Sequence, residues 1–244
     1  MKILFLITAR GGSKGVPGKN LREIGGISLV GFKALSARKS SHCSRLIIST
    51  DSPEIQSDAR KYGVEVPFTR PAELATDAVK SSPVIAHAMA WIEAEGRECY
   101  DAVMLLEPSS PFARAGDYDA AVAMMVRHDA NAVVGVRPAE VAATVIGPLD
   151  ADGRLTAIID KMHAARAQTG KRQTLGRHYT MNGALYLFKW DYFKQHQWIF
   201  YDREKVFGLV MDPLHSVEID EPVDLLWAEF LVNQGHISLA DWRG

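Results

Sequence analysis

The chain has 244 residues, 47% of them hydrophobic, with 28 Lys and Arg set against 29 Asp and Glu for a formal net charge of −1. That length suits one large α/β domain, or one domain with an appended subdomain. The charge balance argues against a nucleic-acid-binding surface, and no apolar run approaches the roughly 20 residues that span a membrane. Cys43 and Cys99 form neither a metal-ligand spacing nor a disulfide framework, and no secretory cleavage pattern opens the chain, so a reducing cytoplasm is expected.

Ile3 to Ile7 are continuously apolar, the pattern of a central strand covered on both faces. After Ala9 comes a loop with Gly11, Gly12, Gly15 and Gly18, one proline, and the cations Arg10, Lys14 and Lys19. Glycines let backbone N–H groups crowd around an anion, and the cations balance its charge. Open α/β sheets bind ligands at such a loop, at the carboxyl end of the first strand. Two familiar phosphate loops fail on the letters. Asn20 follows Gly18-Lys19 where a Walker loop needs Ser or Thr, and Ser13 stands where its first glycine belongs. Gly11-Gly12-Ser13-Lys14-Gly15 has the wrong spacing for a dinucleotide fingerprint.

Helical spacing follows over 29–39, then a buried strand over 46–51. Ser52 reads as an N-cap with Pro53 at the first helical position, and Gly63 as the stop. This is the βαβ rhythm of a parallel sheet. A polar segment, 70–77, leads into Ser81-Ser82-Pro83 and an amphipathic helix carrying Val84, Ile85, Ala88, Met89 and Ile92. The strand 102–106 ends in Glu107-Pro108-Ser109-Ser110-Pro111, a rigid corner with two prolines around two hydroxyls. A helix over 117–127 and a strand over 132–136 complete another unit.

From Arg137 the texture changes. Residues 137–182 hold no strong helical period, and hairpin strands with a flexible basic loop are expected. Forty residues of idle loop are uncommon in a packed domain, so this piece is expected to bind substrate or a second subunit. Asn182-Gly183 turns into the strand 184–188, and another short strand covers 207–211. Glu218 and Asp220, two apart in an extended segment, point to one side with Ile219 between them facing the core. Such a pair suits Mg2+, which takes one or two carboxylates and leaves positions for phosphate oxygens and water. Asp224 sits in the first turn of a helix starting at Pro222, where a carboxylate stabilises free N–H groups. That helix is expected to pack Leu225, Leu226, Ala228, Phe230 and Leu231 on the sheet.

Five motifs together carry a resemblance. They are Ala9 to Asn20, Arg70 to Ala75, Leu106-Glu107-Pro108-Ser109-Ser110-Pro111, Asn182-Gly183-Ala184-Leu185-Tyr186 and Val217-Glu218-Ile219-Asp220. In this order they resemble the acylneuraminate cytidylyltransferases, typified by CMP-N-acetylneuraminate synthetases. The resemblance covers nearly the whole chain. It implies a three-layer α/β/α Rossmann-like nucleotide-diphospho-sugar transferase fold with a mostly parallel sheet. The core would span 1–136 and 183–244, and 137–182 would be an inserted dimerisation element reaching the partner's site. Ala9, Arg10, Gly11, Ser13, Lys19, Asn20, Arg70, Ser81 and Ser82 would hold CTP, with Arg10, Lys19 and Asp220 catalytic. Glu107, Ser109, Arg172, Asn182 and Tyr186 would fall on the sugar side, and Glu218 and Asp220 would hold magnesium.

Two departures bear on the sugar. Glu107 stands where the family commonly has Gln, and Thr180-Met181 where some members have Arg-Pro. A carboxylate beside an acidic sugar is repulsive unless a cation or proton intervenes. The implied reaction moves CMP from CTP to the anomeric hydroxyl of an N-acetylneuraminate-like sugar and releases pyrophosphate, in a homodimer. Legionaminate, pseudaminate or a 3-deoxy-octulosonate are rival acceptors. A non-catalytic nucleotide-binding protein of the same fold is the rival from another class.

Overall fold

The computed structural model describes residues 1–95, 98–169 and 177–243. The strands are β1 (Ile3–Thr8), β2 (Glu23–Ile24), β3 (Ile27–Ser28), β4 (Cys43–Ser49), β5 (Ala102–Leu106), β6 (Ala132–Pro138), β7 (Tyr179–Lys189) and β8 (Val206–Val210). The helices are α1 (Leu29–Lys39), α2 (Pro53–Lys61), α3 (Ser81–Glu95), α4 (Ala115–His128), α5 (Thr156–Thr169), α6 (Trp190–His196) and α7 (Pro222–Asn233). The chain divides into two compact units, Met1–Val136 with Asn182–Gly244, and Arg137–Met181.

In the first unit the sheet order is β4-β1-β5-β7-β6-β8. β1 is parallel to β4 and β5, β6 is parallel to β8, and β7 runs antiparallel to β5. Ile3 to Ile7 are all fully buried because helices cover both faces of the sheet. One apolar layer packs Val30, Ala34 and Ala37 of α1, Ile55 and Ala59 of α2, and Tyr118, Ala121 and Met125 of α4 on one face. A second packs Ile85, Ala88, Met89 and Ile92 of α3, with Trp190 and Phe193 of α6, on the other. The result is the three-layer α/β fold with a mostly parallel sheet. The chain leaves β1 toward β4, then crosses back to β5. That reversal sets the loops after β1 and β5 apart and opens a crevice above their carboxyl ends.

A third apolar cluster is what assembles the site. It joins Val16 of the glycine loop, Phe112 beyond the proline corner, Ile219 between the two acidic residues, and Ala228 and Leu231 of α7. Phe32, Phe112 and Trp242 meet ring to ring there, with centroids 5.2–6.0 Å apart. Segments distant in sequence are thereby locked side by side.

Two expectations are corrected. Within the second unit the residues 156–169 form α5 in place of hairpin strands, after a short 3-10 turn at Ala143–Val145. Lys161 donates to the Ile146 carbonyl (2.7 Å) and the Ala143 N–H to His178 Nδ1 (3.0 Å), so local polar contacts hold this unit where apolar periodicity is weak. On α7 only Ala228 and Leu231 are buried, and Leu225 is partly so. Leu226 and Phe230 are 65% and 45% exposed, because the packed stripe is one residue out of phase with theirs.

Candidate active site

A cleft of about 460 Å³ opens where the loops after β1 and β5 diverge. Ala9, Arg10, Ser13, Lys19, Asn20, Arg70, Ser81, Glu107, Ser109, Glu218 and Asp220 all line it. The structure thus brings together residues more than 200 positions apart. The glycine loop is tied to the acidic segment by Lys19, whose ammonium donates to the Ile219 carbonyl (2.7 Å) and to Asp220 Oδ1 (3.0 Å). Asn20 Nδ2 donates to the Arg10 carbonyl (2.9 Å) and closes the loop on itself. The Ile219 N–H donates to the Ser109 carbonyl (2.7 Å), joining the acidic segment to the proline corner.

Asp224 has the structural role expected of it. Its Oδ2 accepts from the N–H groups of Asp220 (2.9 Å) and Glu221 (2.8 Å), capping α7 and fixing the backbone that carries Asp220. Gly183, at φ +64°, clears space for Glu218. A Cβ there would stand 2.8 Å from Glu218 Oε1 and 2.9 Å from Ser110 Oγ, and the left-handed backbone itself favours glycine.

The cationic wall has internal partners. Arg70 is buried, and its guanidinium donates to Ser49 Oγ (3.0 Å) and the Ser49 carbonyl (2.5 Å). Burial pulls it down to about 10, against the attraction of Asp51 and with the repulsion of Arg10. Asp77 bridges Arg10 and Lys14, the latter at 2.5 Å. Hydrogen bonds from Lys14 and Arg10 hold its carboxyl below the usual range. Asp77 was not singled out in the sequence, since one acid in a polar run carries no spacing signal.

On the opposite side, burial and the charge of Glu218 push the Glu107 carboxyl up to about 7, with Lys33 and Lys19 opposing. Burial, then Glu107 and Glu218, push the Tyr186 phenol up as well. Four expected residues stand outside the lining. The Gly11 N–H is engaged by Asp51 Oδ1 (3.0 Å), Ser82 sits one residue behind Ser81 on α3, and Tyr186 lies on β7 below the rim. Asn182, expected on the sugar side, is fully buried. Its Nδ2 donates to Ser216 Oγ (2.9 Å), its Oδ1 accepts from the Ala184 N–H (3.1 Å), and its carbonyl accepts from Ser110 Oγ (2.7 Å). It braces the corner from within, between Ser110 and Ser216. Arg172 lies outside the described residues.

The donor set fits a divalent cation that arrives with a polyphosphate. Glu218 and Asp220 both face the cleft, and magnesium needs only one or two carboxylates when phosphate oxygens and water complete its shell. Among the described residues no group of three or more metal-type side chains is gathered to hold an ion alone.

Residues 4–91 match the family described as Cytidylyltransferase. The chain is 30% identical over 241 residues to the post-translational flagellin modification protein B of Campylobacter coli, covering 99% of each chain. It is 31% identical over 244 residues to the CMP-N,N'-diacetyllegionaminic acid synthase of Campylobacter jejuni serotype O:2, again covering 99% of each. A solved CMP:2-keto-3-deoxy-manno-octonic acid synthetase complexed with CTP shares the fold, with a TM-score of 0.69 at 15% identity over 96% of this chain and 100% of that one. A mostly parallel α/β sheet with a cationic glycine loop facing acidic side chains across one cleft defines a nucleotidyltransferase. With such identity along its whole length, the chain belongs to the cytidylyltransferase family, among the sialic-acid-type CMP synthetases.

Proposed function

We propose that the protein transfers CMP from CTP to the anomeric hydroxyl of an acidic nonulosonate sugar of the N-acetylneuraminate type, releasing pyrophosphate. The observation that carries this reading is the contact of Lys19 with Asp220 on the wall of a cleft that Arg10, Arg70 and Glu107 also line. Transfer of a nucleotidyl group is mainly positioning and charge stabilisation, with nucleophile, phosphorus and leaving oxygen in line. Arg10 and Lys19 would face the triphosphate and offset the charge that grows on the leaving pyrophosphate. Ser13 and Asn20 would hold the nucleotide with them, and Arg70 and Ser81 would lie toward its cytosine and ribose. Glu107 and Ser109 would meet the sugar.

Glu218 and Asp220 would hold magnesium, which when bound neutralises phosphate oxygens and lowers the pKa of a coordinated hydroxyl or water. A homodimer built on residues 137–181 belongs to the same proposal. That unit exposes Val141, Val145, Ile146, Leu149, Leu155, Ile159 and Met162, more apolar surface than a solvated insertion needs. A reducing cytoplasm suits the free thiols Cys43 and Cys99. No helix among the described residues is long and apolar enough to cross a membrane.

A second acceptor, N,N'-diacetyllegionaminate, is favoured by the relative named for it. The test is pyrophosphate release from CTP and magnesium across N-acetylneuraminate, N,N'-diacetyllegionaminate, pseudaminate and a 3-deoxy-octulosonate. Turnover with one nonulosonate is expected. CTP binding without pyrophosphate release from any of them would instead identify a non-catalytic nucleotide-binding protein.

A further inference from the structure

Five cations line the cleft: Arg10, Lys14, Lys19, Arg70 and Lys80. Four of them are engaged. Asp77 holds Arg10 and Lys14, Lys19 is bound to Asp220 and the Ile219 carbonyl, and Arg70 donates to Ser49. Lys80 alone of the five has no hydrogen-bond or ion-pair partner among the described residues. A solvated lysine needs no partner, so the argument for a role comes from where this one stands.

Its place is set by Asp77, three residues before it. The ion pairs of Asp77 with Arg10 and Lys14 pin this stretch against the glycine loop. The Val79 N–H donates to the Thr76 carbonyl (3.3 Å), and this turn leads the chain into α3. Thr76, Asp77, Val79, Lys80 and Ser81 all line the cleft, so the stretch forms one wall of it. That wall carries one acid, Asp77, and one cation, Lys80. The first turn of α3, which begins at Ser81, adds no acid that would engage Lys80. A triphosphate that takes Arg10 must displace the Asp77 carboxylate and then lies near it. Like charges at such range are unfavourable unless a cation stands between or beside them, and Lys80 is the cation on that wall.

We infer that Lys80 is a binding residue for the polyphosphate of the nucleotide, completing from the α3 wall the cation set that the glycine loop begins. Without nucleotide, Asp77 neutralises Arg10 and Lys14. With nucleotide bound, phosphate oxygens take the loop cations and the Lys80 ammonium, and Lys80 offsets the charge of the displaced Asp77. An ammonium on a flexible stem suits this task, since it can follow phosphate oxygens without a fixed geometry. Lys80 therefore adds affinity for the triphosphate and none for the bare nucleoside. This inference rests on the CTP reading above.

The experiment compares wild type, Lys80→Met and Lys80→Arg by equilibrium binding of CTP with magnesium, and of cytidine read by displacement of bound CTP. Lys80 is exposed, so all three proteins should melt within a degree or two of one another. At low salt K80M is expected to weaken CTP by about fivefold to tenfold and to leave cytidine within about twofold. K80R should bind CTP within about threefold of wild type, and the K80M loss should shrink as ionic strength rises. Unchanged CTP affinity in K80M would overturn the inference, and so would equal losses for CTP and cytidine, which would mark a structural role. If wild type does not bind CTP, the CTP reading fails. Binding of inorganic tripolyphosphate to wild type and K80M then decides the Lys80 contact by itself, with equal affinities refuting it.

Discussion

Gly15 lies against Asp220 so closely that a Cβ on residue 15 would overlap the Asp220 carbonyl oxygen. The glycine loop and the acidic segment therefore touch backbone to side-chain space, and the cleft keeps its shape only while residue 15 has no side chain. Backbone cannot swing aside as a flexible side chain can. Gly15→Ala is expected to lower kcat/KM by about 100-fold by displacing either Lys19 or Asp220, a scale familiar for small misplacements of reacting groups. Gly116→Ala on α4 meets nothing within 4 Å and serves as control. It should leave turnover unchanged and raise stability by up to ~1 kcal/mol, since alanine loses less entropy in a helix. Equal activity in the two variants would mean that the loop and the acidic segment need not touch.

Asp220 combines an exposed carboxylate with a backbone fixed from outside. Asp224 holds the Asp220 and Glu221 N–H groups, and Ile219 is buried beneath. Asp220→Asn removes the charge and leaves that scaffold intact. The expected result is a loss of nearly all turnover, ~1,000-fold or more in kcat, with a melting temperature within a few degrees of wild type. Near-normal CMP-sugar formation in magnesium would sink the assignment of Asp220.

Asp77 occupies two of the three loop cations, Arg10 and Lys14. A triphosphate that uses Arg10 must displace it. Asp77→Asn should therefore lower the CTP KM by about threefold to tenfold at low salt, with the gain shrinking as ionic strength rises. An unchanged KM at all salt concentrations would show that Arg10 does not meet the phosphates.

Much of the site was legible because it is written in local letters. The glycine loop, the Glu218–Asp220 spacing and the proline corner each state a chemistry within a few residues, and the fold places all three on one cleft. Ser52 capping α2 and Pro222 starting α7 were equally plain, since caps are local rules. What sequence could not carry was depth. Lys33 reads as an ordinary helical cation between Phe32 and Ala34, yet it is fully buried, because burial depends on the strand above it. Asn182 has the polarity of a ligand contact and the environment of a core brace. On α7, Leu226 and Leu231 look alike by composition, and only the phase of the packed stripe separates the exposed one from the buried one. The helix α5 was missed for a related reason: its face carries no sustained apolar period.

Asp129 offers a test of pH dependence away from the cleft. It ends α4 at φ 45°, and its carboxylate takes Lys189 (2.7 Å) on one oxygen and Lys205 (2.6 Å) on the other. Hydrogen bonds from Lys189 and Lys205 hold its pKa down to about 2. A carboxylate depressed in the folded state adds stability that is fully present above its unfolded pKa of roughly 4 and is lost as pH falls through the folded value. Asp129→Asn keeps a residue that tolerates left-handed backbone and removes only the charge. Above about pH 5 the variant should melt a degree or two below wild type at low salt, a small gap because the pair is exposed and screened. The gap should narrow between about pH 4 and pH 2, and it should shrink with added salt at neutral pH. A difference in melting temperature that stays constant down to pH 2 would place the cost in the backbone turn, not in the two lysine contacts.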